Sequence, residues 1–385
     1  MYRILSAAGL CCLLACNTPH PSDRVDASVT EAREDSLALA VAYAGQALVG
    51  QAVTASRETD VAKAAALDDA ADDPAIWIHP ADPARSLVYG SNKQGGLAVY
   101  DLAGTEVAYY PIGKVNNVDI LTGVTLGGET FDLLGCSNRT EQSFNLFRID
   151  PETGALTDVA ARTLTVDSSR IDDVYGFCLG RAGADVYAVI NGKNGFLQQF
   201  LLVPAADGFD VELVREHAFP SQTEGMVTDD AGGWLYVGEE AAGIWKLPLR
   251  TTAGERGGEP VATQLLAHRV GTPESLVADV EGLALYDGPG GTGYLVASMQ
   301  GNFSYALFER GGDNAYVSSF KIVDGAVDGV EETDGLEIVS TPLPGFPRGL
   351  LVVQDGFNYD GDTLRPQNFK YVDFGKVLDG MLLSR

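Results

Sequence analysis

From about residue 68 onward, short apolar runs alternate with clusters of Gly, Asn and Asp. Runs of this kind, bounded by turn formers, read as strands. No long amphipathic helical period separates them, which argues against a two-domain α/β chain. One unit recurs six times, with a polar or acidic residue opening a short apolar strand. The copies are Asp72-Asp73-Pro74-Ala75-Ile76-Trp77, Asn117-Val118-Asp119-Ile120-Leu121, Tyr175-Gly176-Phe177-Cys178, Glu224-Gly225-Met226-Val227, Glu281-Gly282-Leu283-Ala284 and Asp334-Gly335-Leu336-Glu337. They stand roughly 45 to 58 residues apart. After each copy come an apolar strand, a polar turn and a further strand, as in LVYGSNKQGGLAVYDL. Repeats of this length match a four-stranded propeller blade. The pattern predicts an all-β chain, a six-bladed β-propeller with four-stranded antiparallel blades, over residues 66–385.

The N-terminal part has a different texture. Residues 17–65 are rich in Ala, Ser, Asp and Glu, with no strong apolar period. They read as a low-complexity tether, part of which, within residues 31–51, suits a helix. Ahead of them, Arg3 precedes an apolar run too short to span a bilayer, and Leu13-Leu14-Ala15-Cys16 matches a lipobox. Residues 1–16 are therefore expected to be a lipoprotein signal with Cys16 lipidated; an ordinary cleaved signal peptide is the alternative. The expectation is an exported cell-envelope lipoprotein on the outer-membrane or periplasmic side, or released outside the cell.

Blade geometry turns the repeats into a site. In an up-and-down blade, the start of strand 1 and the turn between strands 2 and 3 lie at the same end. Both repeated patterns put polar residues there, so they converge on one mouth of the central channel. The strand starts supply Asp72, Asp73, Asp119, Tyr175, Glu224, Glu281 and Asp334. The turns supply Lys93, Arg139, Lys193, Glu239, Glu240, Gln300, Asn302, Asp355, Asn358 and Asp360. Carboxylates, amides and backbone carbonyls are ligands for hard cations, calcium above all. So many acids round one mouth would repel one another without cations.

Charge and composition narrow the chemistry. The net charge of −27 makes nucleic acid a poor partner. The four histidines, His20, His79, His217 and His268, show no ligand spacing and read as tether, surface or turn residues. Of five cysteines, only Cys136 and Cys178 lie beyond the leader, and they read as buried free thiols, with a disulfide, which an exported compartment would permit, as the alternative. No nucleophile elbow or P-loop is visible. Several calcium ions with Lys93, Arg139 and Lys193 suit a polyanion, because bound cations turn an acidic face into one that attracts phosphate. Clustered metals also activate water, so no protein nucleophile is needed.

The residues resemble a known family. Asp69-Ala70-Ala71-Asp72-Asp73-Pro74-Ala75-Ile76-Trp77 and Asn116-Asn117-Val118-Asp119-Ile120-Leu121 are similar to two signature segments of the β-propeller phytases, calcium-dependent alkaline phosphatases of myo-inositol hexakisphosphate (phytate). Leu121 stands where that family usually has Arg. The blocks SNRTE, SQTEGM, EEAAGIWK, DVEGL, QGNFSY and QNFK extend the likeness over roughly residues 68 to 380. The resemblance implies a structural calcium at Asp73 with the carbonyls of Pro74 and Val118. It implies a second at Asp328, Asn358 and Asp360, and a third at Asp279, Glu281 and Gln300. It gives Asp72, Tyr175, Glu224, Glu240 and Glu281 to the cleavage site, and Lys93, Arg139 and Lys193 to phosphate binding. An upstream acid, Glu58 or Asp60, also contributes. The function implied is stepwise, calcium-dependent phosphate release from phytate, taken as its calcium complex, by a monomer. A lactonase or phosphodiesterase on the same fold, and a non-catalytic calcium-stabilised surface propeller, are the alternatives.

Overall fold

The computed structural model describes residues 36–65, 67–250, 263–269 and 276–383. The expected leader, residues 1–16 with Cys16, lies outside them. The described residues from 42 onward form one compact unit, the propeller. None of the described helices is long and apolar enough to cross a membrane.

Six sheets follow in chain order. Blade I comprises Ala71–Trp77, Leu87–Asn92, Gly96–Asp101 and Glu106–Tyr110. Blade II comprises Val118–Leu126, Glu129–Asn138, Ser143–Ile149 and Leu156–Asp158. Blade III runs from Val174–Ala182 to Gly208–Ala218, blade IV from Thr223–Asp229 to Thr263–Arg269, and blade V from Val280–Asp287 to Tyr316–Val323. Blade VI takes Leu336–Val339, Leu350–Asp355 and Asn368–Asp373 from the C-terminal region. Its fourth strand is Arg57–Glu58, paired antiparallel with Tyr371 and Lys370. The ring thus closes with strands from both ends of the chain.

This closure corrects the expected domain boundary. The propeller takes in residues before 66, because Gln51–Thr54 adds a parallel outer strand to blade V and Arg57–Glu58 completes blade VI. Both strands are short and held by main-chain bonds, so they leave no side-chain period to read. A C-terminal helix, Phe374–Leu383, was likewise not anticipated; Val377 and Met381 pack it against blades V and VI.

The apolar runs are continuous because each strand feeds two interfaces. Successive side chains of a strand point to opposite faces. In blade I, Val88, Ala98 and Tyr100 pack against blade VI with Val352, Phe369 and Tyr371. Their neighbours Tyr89, Leu97 and Val99 pack against blade II with Val118, Leu134 and Cys136. Each adjoining pair of blades has such a cluster, so the ring has no open seam. Cys136 and Cys178 are buried free thiols, as expected. His79, expected as a surface or turn residue, lies in the turn after Trp77 and is buried there, its Nδ1 accepting from the backbone N–H groups of Ala81 and Asp82.

Candidate functional site

The repeated polar residue is followed by glycine for a steric reason. A Cβ on Gly225 would lie 1.9 Å from the Glu281 carbonyl oxygen, and one on Gly176 would lie 2.0 Å from that of Glu224. A Cβ on Gly282 would lie 2.8 Å from the Gly335 Cα, and one on Gly335 would lie 2.6 Å from the Asp73 Cα, both still too close for a side chain. Blades I, III, IV and V each carry a bulge here, between Ala71 and Pro74, Val174 and Phe177, Thr223 and Met226, and Val280 and Leu283. A bulge re-aims side chains. In this ring the bulges deliver Asp72, Tyr175, Glu224 and Glu281 to one mouth, and Asp334 joins them from just before the first strand of blade VI.

Blade II breaks the pattern. Its innermost strand keeps regular register from Val118 to Leu121 and bulges only afterwards. Asp119 therefore does not reach the mouth with the other strand starts. Its two oxygens accept from the N–H groups of Ile120 and Leu179. With Asp230, Asp287 and Glu337 it lines a separate cavity of about 360 Å³ along the later part of the innermost strands. At the mouth its place is taken by Asn116, which donates to Glu224 Oε1 at 2.6 Å.

The mouth holds a cavity of about 470 Å³ lined by Lys93, Tyr175, Glu240, Asp279, Glu281, Gln300, Asp334 and others. One carboxylate oxygen each from Glu224, Glu240 and Glu281 lie within 4.8 Å of one another. Glu224 and Glu281 are buried. Burial, then the neighbouring Glu224 and Glu240, pushes the Glu281 carboxyl well above the ordinary range. Burial and Glu224 raise Glu240 to about 7. Asp72 is 0 % exposed and also pushed well up by burial, against the pull of Lys93. Its oxygens, with Glu240 Oε1 and Glu281 Oε2, accept no hydrogen bond among the described residues. Asp72 Oδ2 does lie 3.1 Å from the Lys93 ammonium, an attraction of charge without hydrogen-bond geometry. Buried oxygens in this state are costly unless a cation meets them.

Lys93 is the cation already in place. Its ammonium lies 3.0 Å from Asp69, 3.1 Å from Asp72 and 3.0 Å from Asp334. Burial alone would discharge it, but the acids outweigh burial and raise it well above its ordinary value. Asp334 rises to about 7 through burial, opposed by Lys93, and its Oδ1 accepts from Gln300 at 2.6 Å. Asp69 is thus part of this charge cluster.

The other two predicted cations flank Tyr175. The Lys193 ammonium stands 4.6 Å from the Tyr175 ring centroid, and the Arg139 guanidinium 5.8 Å. Asp173 holds Arg139 through two hydrogen bonds, which fixes its head beside the ring. Burial and the acids around Tyr175 raise its phenol far above its ordinary value, so the hydroxyl stays protonated and can donate.

The remaining predicted ligands fall into two groups. Asp73, Pro74 and Val118 are buried together, and Asp73 Oδ2 accepts from the Val118 N–H at 3.1 Å. Asp328, Asn358 and Asp360 do not form a set. Lys370, buried, puts its ammonium against Asp328, Glu58, Asp355 and Asn358. Asp360 turns outward to Arg365. Of the two upstream acids, Glu58 reaches the Lys370 cluster, while Asp60 caps the Glu106 N–H. The QNFK block contains Lys370, but nothing in its sequence shows that a lysine is surrounded by these acids. Asn116, Asp173 and Arg365 were also missed as site residues; the doubled Asn before Val118 was the available signal for the first.

Fold and site together define a six-bladed propeller with an acid-lined, metal-type mouth. A family model described as Phytase matches residues 26–383. A 3-phytase from Bacillus subtilis is 41 % identical over 333 residues, covering 84 % of this chain and 84 % of that protein. The chain belongs to the phytase family. Among solved structures, the calcium-binding protein regucalcin from Agrobacterium tumefaciens aligns with TM-score 0.49 at 13 % identity, over 84 % of this chain and 97 % of that one. At that level the likeness adds nothing to the assignment.

Proposed function

We propose that this enzyme releases phosphate stepwise from phytate and that it depends on calcium held at the propeller mouth. The observation that carries the reading is the acid cluster: Glu224, Glu240 and Glu281 gather their oxygens within 4.8 Å, and Glu240 Oε1 and Glu281 Oε2 are buried without a hydrogen-bond partner among the described residues. An all-oxygen donor set fits calcium. Asp72, Glu224, Glu240 and Glu281 would hold ions at the mouth, with Asp279 and Gln300 beside them, and Asp73 with the Pro74 and Val118 carbonyls would hold one deeper. Bound calcium would supply positive charge to a phosphate and acidify a water. At the Asp328 and Asn358 position, Lys370 already supplies a positive charge.

The chain's own residues do the rest. Lys193 and Arg139 both stand over the Tyr175 ring and are placed to grip phosphate oxygens. The protonated Tyr175 hydroxyl is a donor that can orient the same group. Lys93, fixed by three acids, keeps a permanent positive charge within the ring of carboxylates. This combination favours a phosphomonoester over a lactone, which has no use for three cations.

The test is phosphate release from phytate with calcium, after EDTA, and after calcium is restored. Activity should fall to background with EDTA and return with calcium. Full activity in EDTA would overturn the calcium dependence, and no phosphate release under any condition would overturn the substrate.

A further inference from the structure

We propose that Arg365 forms a separate phosphate contact on the blade VI rim, holding a substrate phosphate other than the one being released. This rests on the phytate reading, because it needs a substrate with several phosphates. Arg365 follows the hairpin formed by Tyr359–Asp360 and Thr363–Leu364. Its backbone N–H donates to the Asn358 carbonyl at 2.8 Å, which anchors the base of the side chain. Leu364, Arg365 and Phe357 line the mouth cavity together with Lys93, Tyr175 and Glu240.

The cations lining that cavity are Lys93 and Arg365, and they differ in freedom. Lys93 is 12 % exposed and saturated by three carboxylates. Arg365 is 50 % exposed, and its side-chain partner is Asp360, 2.9 Å away and 74 % exposed. An ion pair this open to water contributes little and is readily exchanged. A phosphate dianion offers a guanidinium two parallel charge-assisted hydrogen bonds, a better partner than an exposed carboxylate.

Position completes the argument. Arg139 and Lys193 lie on blades II and III, and blade VI stands opposite blade III in a ring of six. Cations therefore flank the acid cluster from both sides. A ring bearing phosphates all round can meet both sides at once, whereas a simple monoester meets only the cleavage side. Arg365 would thus set preference for highly phosphorylated substrates.

The experiment compares wild type, Arg365→Ala and Arg365→Lys in the full chain with calcium present. Phytate and phenyl phosphate serve as substrates, and calorimetry measures phytate binding directly. For Arg365→Ala, the ratio of kcat/KM for phytate to that for phenyl phosphate should fall about five- to tenfold, through KM, the loss of one charge-assisted contact. Phytate Kd should rise by a similar factor, and Arg365→Lys should recover part of both. An unchanged ratio and Kd overturn the proposal, as does an equal loss on both substrates. If wild type binds phytate more tightly than Arg365→Ala but releases no phosphate, the contact stands and the phytase reading fails.

Discussion

At the closure of the ring, Glu58, Asp328, Asp355 and Asn358 point their oxygens at one ammonium, that of Lys370. At the mouth, Glu224, Glu240 and Glu281 gather, and among the described residues no lysine or arginine makes a salt bridge to them. Both clusters take carboxylates out of water, which costs several kcal/mol per ion unless a partner is supplied. The closure supplies it from the sequence, in a lysine that is 0 % exposed. The mouth leaves the buried Glu240 Oε1 and Glu281 Oε2 with neither a hydrogen bond nor a salt bridge among the described residues, beside an open cavity, whereas Asp355 Oδ2 at the closure, also without hydrogen-bond geometry, has the Lys370 ammonium 3.2 Å away. A cluster compensated from within fixes a fold, and one left uncompensated is placed to bind something. Lys93 shows both habits at one boundary: it neutralises the Asp72 and Asp334 side of the mouth and leaves the three glutamates to an outside cation.

The largest effect should come from breaking the mouth. Glu281→Gln keeps shape and removes one charge from the three-glutamate group. We expect kcat on phytate to fall about 10²- to 10³-fold, the range for losing one pre-organised electrostatic contact. Because the substitution relieves like-charge repulsion, melting without calcium should be equal to or higher than wild type. A variant that loses activity only by unfolding would refute the idea that these acids serve binding and not the fold.

Breaking the closure should do the reverse. Lys370→Met leaves Asp328 and Asp355 buried without their ammonium, which costs about 3–5 kcal/mol for a broken buried pair. Denaturant unfolding should show that loss, while kcat in the folded fraction stays near wild type. A midpoint within experimental error of wild type would remove the contrast between the two clusters.

How much of this was legible beforehand follows the same division. Repetition made the mouth readable: Glu224-Gly225, Glu281-Gly282 and Asp334-Gly335 recur because the glycine must pass against the next blade's backbone, and in blades IV and V a bulge also aims the acid inward. Asp119 misled because its copy has the right spacing but no acid-glycine pair and no bulge at that point. The closure happens once in the ring, so no repeat announces it. Glu58 and Lys370 are 312 positions apart, and only the pairing of Arg57–Glu58 with the last strand of blade VI brings them together. Local patterns reported what each blade does alone; what joins the first strand to the last was visible only in three dimensions.

The smallest effect is a slope with pH, and it separates the two clusters without mutation. In calcium-free protein, Asp334 and Glu240 are raised to about 7 in the fold from ordinary values of 3.8 and 4.5. The folded state then holds protons more tightly than the unfolded one. That contribution to stability is complete below about pH 4 and is lost as pH rises through about 7. We expect stability in EDTA to fall over that window, with Asp334 contributing more than the partly exposed Glu240. Calcium should flatten this part of the slope, because it replaces the protons as partner of the mouth acids. Asp355 is also raised to about 7, by burial that outweighs Lys370, and it should keep its share of the slope with calcium present. Glu337, raised to about 8 by burial and by Asp119 at the separate cavity, should extend that remainder to higher pH. Thermal melts from pH 4 to 9, with and without calcium, measure both parts. A slope that calcium removes entirely would mean that calcium also reaches the closure, and one that calcium leaves untouched would mean that the mouth acids are not its ligands.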